Sequence, residues 1–77
     1  MDWNRVVGRN LRRLRLAHKL TQEGLAGEAG LAMRHIGRIE RGTSSPTAAM
    51  LGRLAEAMGV HPGEFFVIGE PPETPQA

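Results

Sequence analysis

Met33, Arg34, His35 and Arg38 stand close together in the chain, with Arg41 three residues on. Their chemistry is that of recognition by hydrogen bonding and charge. A guanidinium is a rigid fork of N–H donors, and at Arg34 it matches the O6 and N7 acceptors of guanine. Arg38, one helical turn later, reaches either bases or the flanking phosphates. Met33 offers an apolar contact for a thymine methyl or fills a gap in the fold. His35 reads as a phosphate contact ahead of a cover for the turn. Gly37 presents no side chain. Gln22 lies at a helix start, where free amides and the helix dipole favour an anion. Nothing comparable supports catalysis. His18, His35 and His61 are scattered, cysteine is absent, and Asp2 and the glutamates show no paired-carboxylate or metal-ligand spacing. The glycines are dispersed and form no phosphate-cradling loop. No enzymatic activity, cofactor, metal or small-molecule ligand is expected.

Two short helices must position these side chains. Thr21 is a good N-cap, and Leu25, Ala26 and Ala29 then share one helical face. Gly30 suits the turn, because a residue tolerant of positive φ reverses the chain at low cost. Leu31, Ile36 and Ile39 form a second apolar set, which turns Met33, Arg34, His35 and Arg38 outward. Gly42 after Glu40-Arg41 stops the second helix. Such a helix, backed by another, is shaped to enter a groove.

The combination Gln22-x-x-Leu25-Ala26-x-x-x-Gly30, then Ile36-x-x-Ile39-Glu40-x-Gly42 and Pro46, resembles the phage-repressor (lambda-repressor-like) helix-turn-helix family over roughly residues 8 to 66. The resemblance implies an all-α, five-helix DNA-binding domain over residues 1–68. Its recognition helix, about residues 32–40, would lie in the major groove. It implies that Arg15 reaches Glu40, tying the first helix to the end of the recognition helix, and that Gln22 grips a DNA phosphate. The expected DNA-contacting set is Thr21, Gln22, Met33, Arg34, His35, Arg38, Arg41, Thr43 and Ser44. Gly24, Gly27, Met33 and Ala32 depart from the family pattern. Leu31-x-x-Arg34-x-Ile36 and the paired Phe65-Phe66 are similar to the compact controller proteins of restriction-modification systems.

The remaining sequence frames this reading. Seventy-seven residues suffice for one small domain, which buries only about 60% of its unfolded surface. The net charge is +2, but residues 1–19 carry Arg5, Arg9, Arg12, Arg13, Arg15 and Lys19 against Asp2 alone. A basic front suggests a polyanion partner. The first helix is expected from near Asp2 to about His18, with Val7, Leu11 and Leu14 facing the core. Ser45-Pro46 reads as the cap and first residue of a fourth helix running to about Met58, with Leu51, Leu54, Ala55 and Met58 inside. A short fifth helix would start at Pro62. Residues 69–77 read as a disordered tail. Gly8, Gly24, Gly27, Gly37 and Gly52 all fall inside expected helices, each costing about 1 kcal/mol against alanine; some would permit close helix approach and others would simply be tolerated. No apolar run reaches membrane-spanning length, and the absence of cysteine fits a reducing compartment; a cytoplasmic protein is expected.

A nine-residue recognition helix spans about 13 Å and meets only a few base pairs, so a second copy is needed and a homodimer on a two-fold operator is expected. Its interface would be drawn from Phe65, Phe66 and Val67. The function expected is sequence-specific double-stranded DNA binding in transcription regulation. The alternative is an antitoxin or protein-interaction module that kept the fold, although such a module has no reason to retain Gln22, Arg34, Arg38 and the basic first helix together.

Overall fold

The structure, a computed structural model, describes residues 1–69. Four α-helices form the framework: α1 (Trp3–Ala17), α2 (Gln22–Ala29), α3 (Met33–Arg41) and α4 (Ala48–Met58). A 3-10 helix (Pro62–Phe66) follows, and no strand occurs among the described residues. Apart from Gly69, the tail expected over residues 69–77 lies outside the described residues. No helix among them is long and apolar enough to cross a membrane.

Each helix start has a local cause. The Asp2 carboxylate accepts from the Arg5 amide at 3.2 Å and fixes the start of α1. The Thr21 hydroxyl accepts from the Gly24 amide at 2.9 Å and fixes that of α2. α3 begins without such help, since Ala32 has no side chain able to cap. The cap of α4 differs from the sequence expectation. Thr47, not Ser45, accepts from the first turn, with its hydroxyl 3.1 Å from the Met50 amide. The Ser45 hydroxyl instead donates to Asn4 Oδ1 at 2.8 Å. This ties the loop before α4 to α1 and leaves Pro46 outside the helix. The expected fifth helix is a 3-10 turn of five residues rather than an α-helix. Its backbone closes through the shorter bond from the Glu64 amide to the His61 carbonyl, 3.0 Å, the pattern that defines this tighter helix.

The core lies where α1, α3, α2 and α4 enclose Leu11, Leu25, Ile36, Ile39 and Leu54, with Phe65 of the 3-10 helix as its lid. All six are fully buried. Asn10, also buried, holds that lid in place. Its amide group donates to the carbonyls of Phe65 and Val67, both at 2.8 Å. Burying an amide this way is tolerable because both of its N–H groups are satisfied.

α3 packs against both α1 and α2. Its approach to α1 depends on Gly8. A Cβ there would collide with the Ile39 carbonyl oxygen and lie 2.8 Å from that of Glu40. Glycine is thus what lets α1 rest on the last turn of α3. Gly27 and Gly52 are different, for a Cβ on either would meet nothing within 4 Å.

Candidate nucleic-acid interface

The turn between α2 and α3 sets the geometry of everything displayed beyond it. Gly30 ends α2 at φ 70°, and the Leu31 amide returns to the Ala26 carbonyl at 2.9 Å. α3 then places Ile36 and Ile39 entirely inside. The helical period turns Met33, Arg34, Arg38 and Arg41 outward, and all four are exposed. Among the described residues, no carboxylate or carbonyl takes a hydrogen bond from the guanidinium of Arg34, Arg38 or Arg41. Met33 is 51% exposed, so it does not fill a core gap.

Behind this face lies a brace of three side chains. Arg15 Nε donates to Glu40 Oε2 at 2.6 Å, and Arg15 Nη2 donates to Glu40 Oε1 at 3.0 Å. Arg15 Nη1 donates to the Leu20 carbonyl at 2.9 Å. Gln22 Nε2 adds a bond to Glu40 Oε1 at 3.2 Å. The Arg15 and Glu40 side chains are only 10% and 5% exposed. The end of α1, the start of α2 and the end of α3 therefore converge on one carboxylate. Hydrogen bonding to Glu40 raises the Arg15 pKa above its ordinary value, against the opposing effect of burial, and the neighbouring negative charge adds to the rise. Arg15 is charged at every pH at which the fold is of interest. A paired, two-pronged bond of this kind fixes orientation as well as distance.

The sequence-expected DNA-contacting residues fall into two groups. Arg34, Arg38, Arg41 and Met33 face outward, as do Thr21 and Ser44 in part. Gln22 is half-buried and gives one amide N–H to Glu40, keeping its other N–H and its carbonyl. The backbone amides of Gln22 and Glu23 have no acceptor among the described residues. His35 differs in its burial, and Thr43, although exposed, in its hydrogen bonds. His35 is half-buried, with Nε2 sealed from solvent and unpartnered. In this conformation it does not offer that nitrogen to a phosphate, and covering is the role its burial fits. Thr43 commits both its hydroxyl and its amide to the Arg38 carbonyl, at 3.2 and 3.1 Å, and so closes the end of α3.

The residues expected at a dimer interface also divide. Phe65 is fully buried and has no surface left for a partner. Phe66 is 45% exposed and leans on Trp3, ring centroids 6.2 Å apart. Val67 is half-buried, and Ile68 is exposed. The apolar surface is therefore shared between the 3-10 segment and the start of α1.

Sequence reasoning missed two internal anchors. Asn10 was visible as a polar residue inside the Val7, Leu11, Leu14 stripe. Arg13 lies among the first-helix arginines but is held to the 3-10 helix. Its Nη2 donates to Asn10 Oδ1 at 3.3 Å and to the Glu64 carbonyl at 3.4 Å, and pairs with the Glu64 carboxylate at 3.5 Å.

Comparison with known proteins points the same way. A helix-turn-helix family model matches residues 11–65. An uncharacterised HTH-type transcriptional regulator of Sinorhizobium fredii is 40% identical over 60 residues, 78% of each chain. A second, from Bacillus subtilis, is 35% identical over 68 residues, covering 88% of this chain and 93% of that one. Among solved structures, the restriction-modification controller protein from Aeromonas hydrophila superposes with a TM-score of 0.80 at 36% identity. It covers 82% of this chain, and 96% of its own chain is matched.

Proposed function

Because the chain belongs to the helix-turn-helix family of DNA-binding transcription regulators, we propose that it reads a specific double-stranded operator as a homodimer, with α3 in the major groove. The observation that carries this is the outward face of α3: three guanidiniums without internal partners, on a helix locked from behind by the Arg15–Glu40 brace. A positioned donor with no partner of its own is what base readout requires.

The roles follow from position. Arg34, in the first turn of α3, donates to the O6 and N7 of a guanine. Met33 beside it contacts a thymine methyl. Arg38 reaches a base or the adjoining backbone, and Arg41 and Ser44 hold flanking phosphates. Thr21 and Gln22, with the free amides at the start of α2, seat another phosphate. The Gln22 side chain arrives already oriented by Glu40. His35 and Thr43 serve the structure of α3 rather than the DNA.

α3 has nine residues, a length of about 13 Å, so one copy meets only a few base pairs. Two copies on half-sites about 34 Å apart supply the missing information. Phe66, Val67 and Ile68 form the two-fold contact, and the protein works in the cytoplasm. Likeness to the restriction-modification controller protein favours that type of regulator. Arginines left unpaired on an exposed helix favour DNA over a protein partner.

Selection of bound duplexes from a random pool tests the proposal. The expected result is a two-fold sequence with guanine at one conserved place in each half-site. A selected pool indistinguishable from the starting pool would reject sequence-specific binding.

A further inference from the structure

Resting on the DNA-binding reading, we infer that α1 carries a second backbone-binding surface, in which Arg5, Arg9 and Arg12 join Arg41 to hold phosphates flanking the bases read by α3. These four arginines line one groove of about 470 Å³, where α1 crosses the end of α3, and Asp2 and Glu40 line it with them.

Three observations carry the inference. The first is the packing that makes the groove. Gly8 lets α1 lie on the carbonyls of Ile39 and Glu40, and Gly42, at φ 76°, lies under the stem of Arg5, so that a Cβ there would be 2.8 Å from Arg5 Cγ. The α1 arginines are thereby set flush with the last turn of α3.

The second is the state of the charges. Neither carboxylate at the groove pairs with its guanidiniums: Asp2 accepts from the Arg5 backbone amide, and Glu40 is held by Arg15 and Gln22. None of the four guanidiniums has a hydrogen-bond or ion-pair partner among the described residues. The negative end of the α3 dipole attracts cations, yet none of the four donates to a carbonyl there.

The third is direction. Arg41 follows Arg34 by seven residues and Arg38 by three, so it shares their outward face of α3. The groove thus begins where the base-reading face ends. Arg5, Arg9 and Arg12 repeat at intervals of four and three along α1, a stripe about 10 Å long. One strand of DNA carries a phosphate about every 3.4 Å along its axis. The stripe is long enough to meet more than one of them.

The test is binding to a pool-selected duplex and to its scrambled counterpart across a salt series, for the wild type, Arg9→Gln/Arg12→Gln and Arg9→Lys/Arg12→Lys. The glutamine variant is expected to lower the slope of log K against log salt by about two units, close to 0.9 for each phosphate that is no longer neutralised. It should weaken both duplexes by the same factor and leave base preference unchanged. The lysine variant should keep the wild-type slope. A glutamine variant with wild-type slope and affinity would overturn the inference while leaving α3 as the reader. A wild type that selects no duplex would remove the reading beneath it. Calorimetric titration with inorganic pyrophosphate separates the sources of phosphate. Saturable binding that the glutamine variant loses, with no change in its DNA slope, would assign the groove to a free anion instead.

Discussion

Arginines in two parts of this small protein do opposite work. Arg15, between α1 and α3, is buried and committed on all sides, to Glu40 and to the Leu20 carbonyl. Arg34, Arg38 and Arg41, on the far side of the same α3, are exposed and committed to nothing internal. The residue type is identical, and packing decides its role. A guanidinium with its carboxylate becomes part of the scaffold, whereas one without a carboxylate is available for a ligand. The two kinds come together at adjacent positions, where Glu40, the partner of Arg15, precedes Arg41. The scaffold charge therefore aims the free ones, because α3 cannot roll without breaking the paired bonds of Glu40.

Breaking the committed arginine should have the largest effect on stability. Arg15→Ala strands Glu40 in a site where its side chain is only 5% exposed, and removing one partner of a buried pair costs about 3–5 kcal/mol. Arg9→Ala removes an exposed side chain and should stay within about 0.5 kcal/mol of wild type. Thermal and urea unfolding of the two variants measures the gap. Equal small losses would show that the brace does not hold the helices.

The glycines give the next effect, with opposite signs in two places. Gly8→Ala drives a methyl into the main chain of α3, and overpacking of this sort costs about 1–3 kcal/mol or more. Gly27→Ala, which has open space, should stabilise by about 0.4–1 kcal/mol through reduced freedom of the unfolded chain. The same unfolding curves test both. Destabilisation by Gly27→Ala would mean that α2 needs its glycine for a reason other than packing.

These cases also show what a sequence exposes. The Arg15–Glu40 bond was legible because both residues stand in register with a motif that has known spacing, and the helix starts at Asp2 and Thr21 followed from caps that act over three residues. Gly8 looked the same as Gly27 in the chain, because what distinguishes them is a carbonyl 31 residues away from Gly8. Asn10 was a visible break in an apolar stripe, but its acceptors are main-chain carbonyls of Phe65 and Val67, which no residue type announces. Ser45 was the expected cap of α4, and Thr47 takes that place. Bonding to Asn4 takes Ser45 away. Phe65 and Phe66 are adjacent and chemically identical, and only the 3-10 geometry sends one into the core and the other to Trp3. Local rules placed the elements and the outward face; long-range packing chose among equivalent residues.

The free arginine should have the smallest effect on folding and a large one on binding. The most direct measurement compares wild type and Arg34→Ala on the selected duplex and on each of its single-base variants, with unfolding curves recorded alongside. Unfolding should shift by less than about 0.5 kcal/mol, while cognate affinity falls by about 1–3 kcal/mol and preference flattens at one base pair in each half-site. Arg34→Ala that binds as tightly as wild type and still discriminates at every position would contradict the assignment of α3 as the reader.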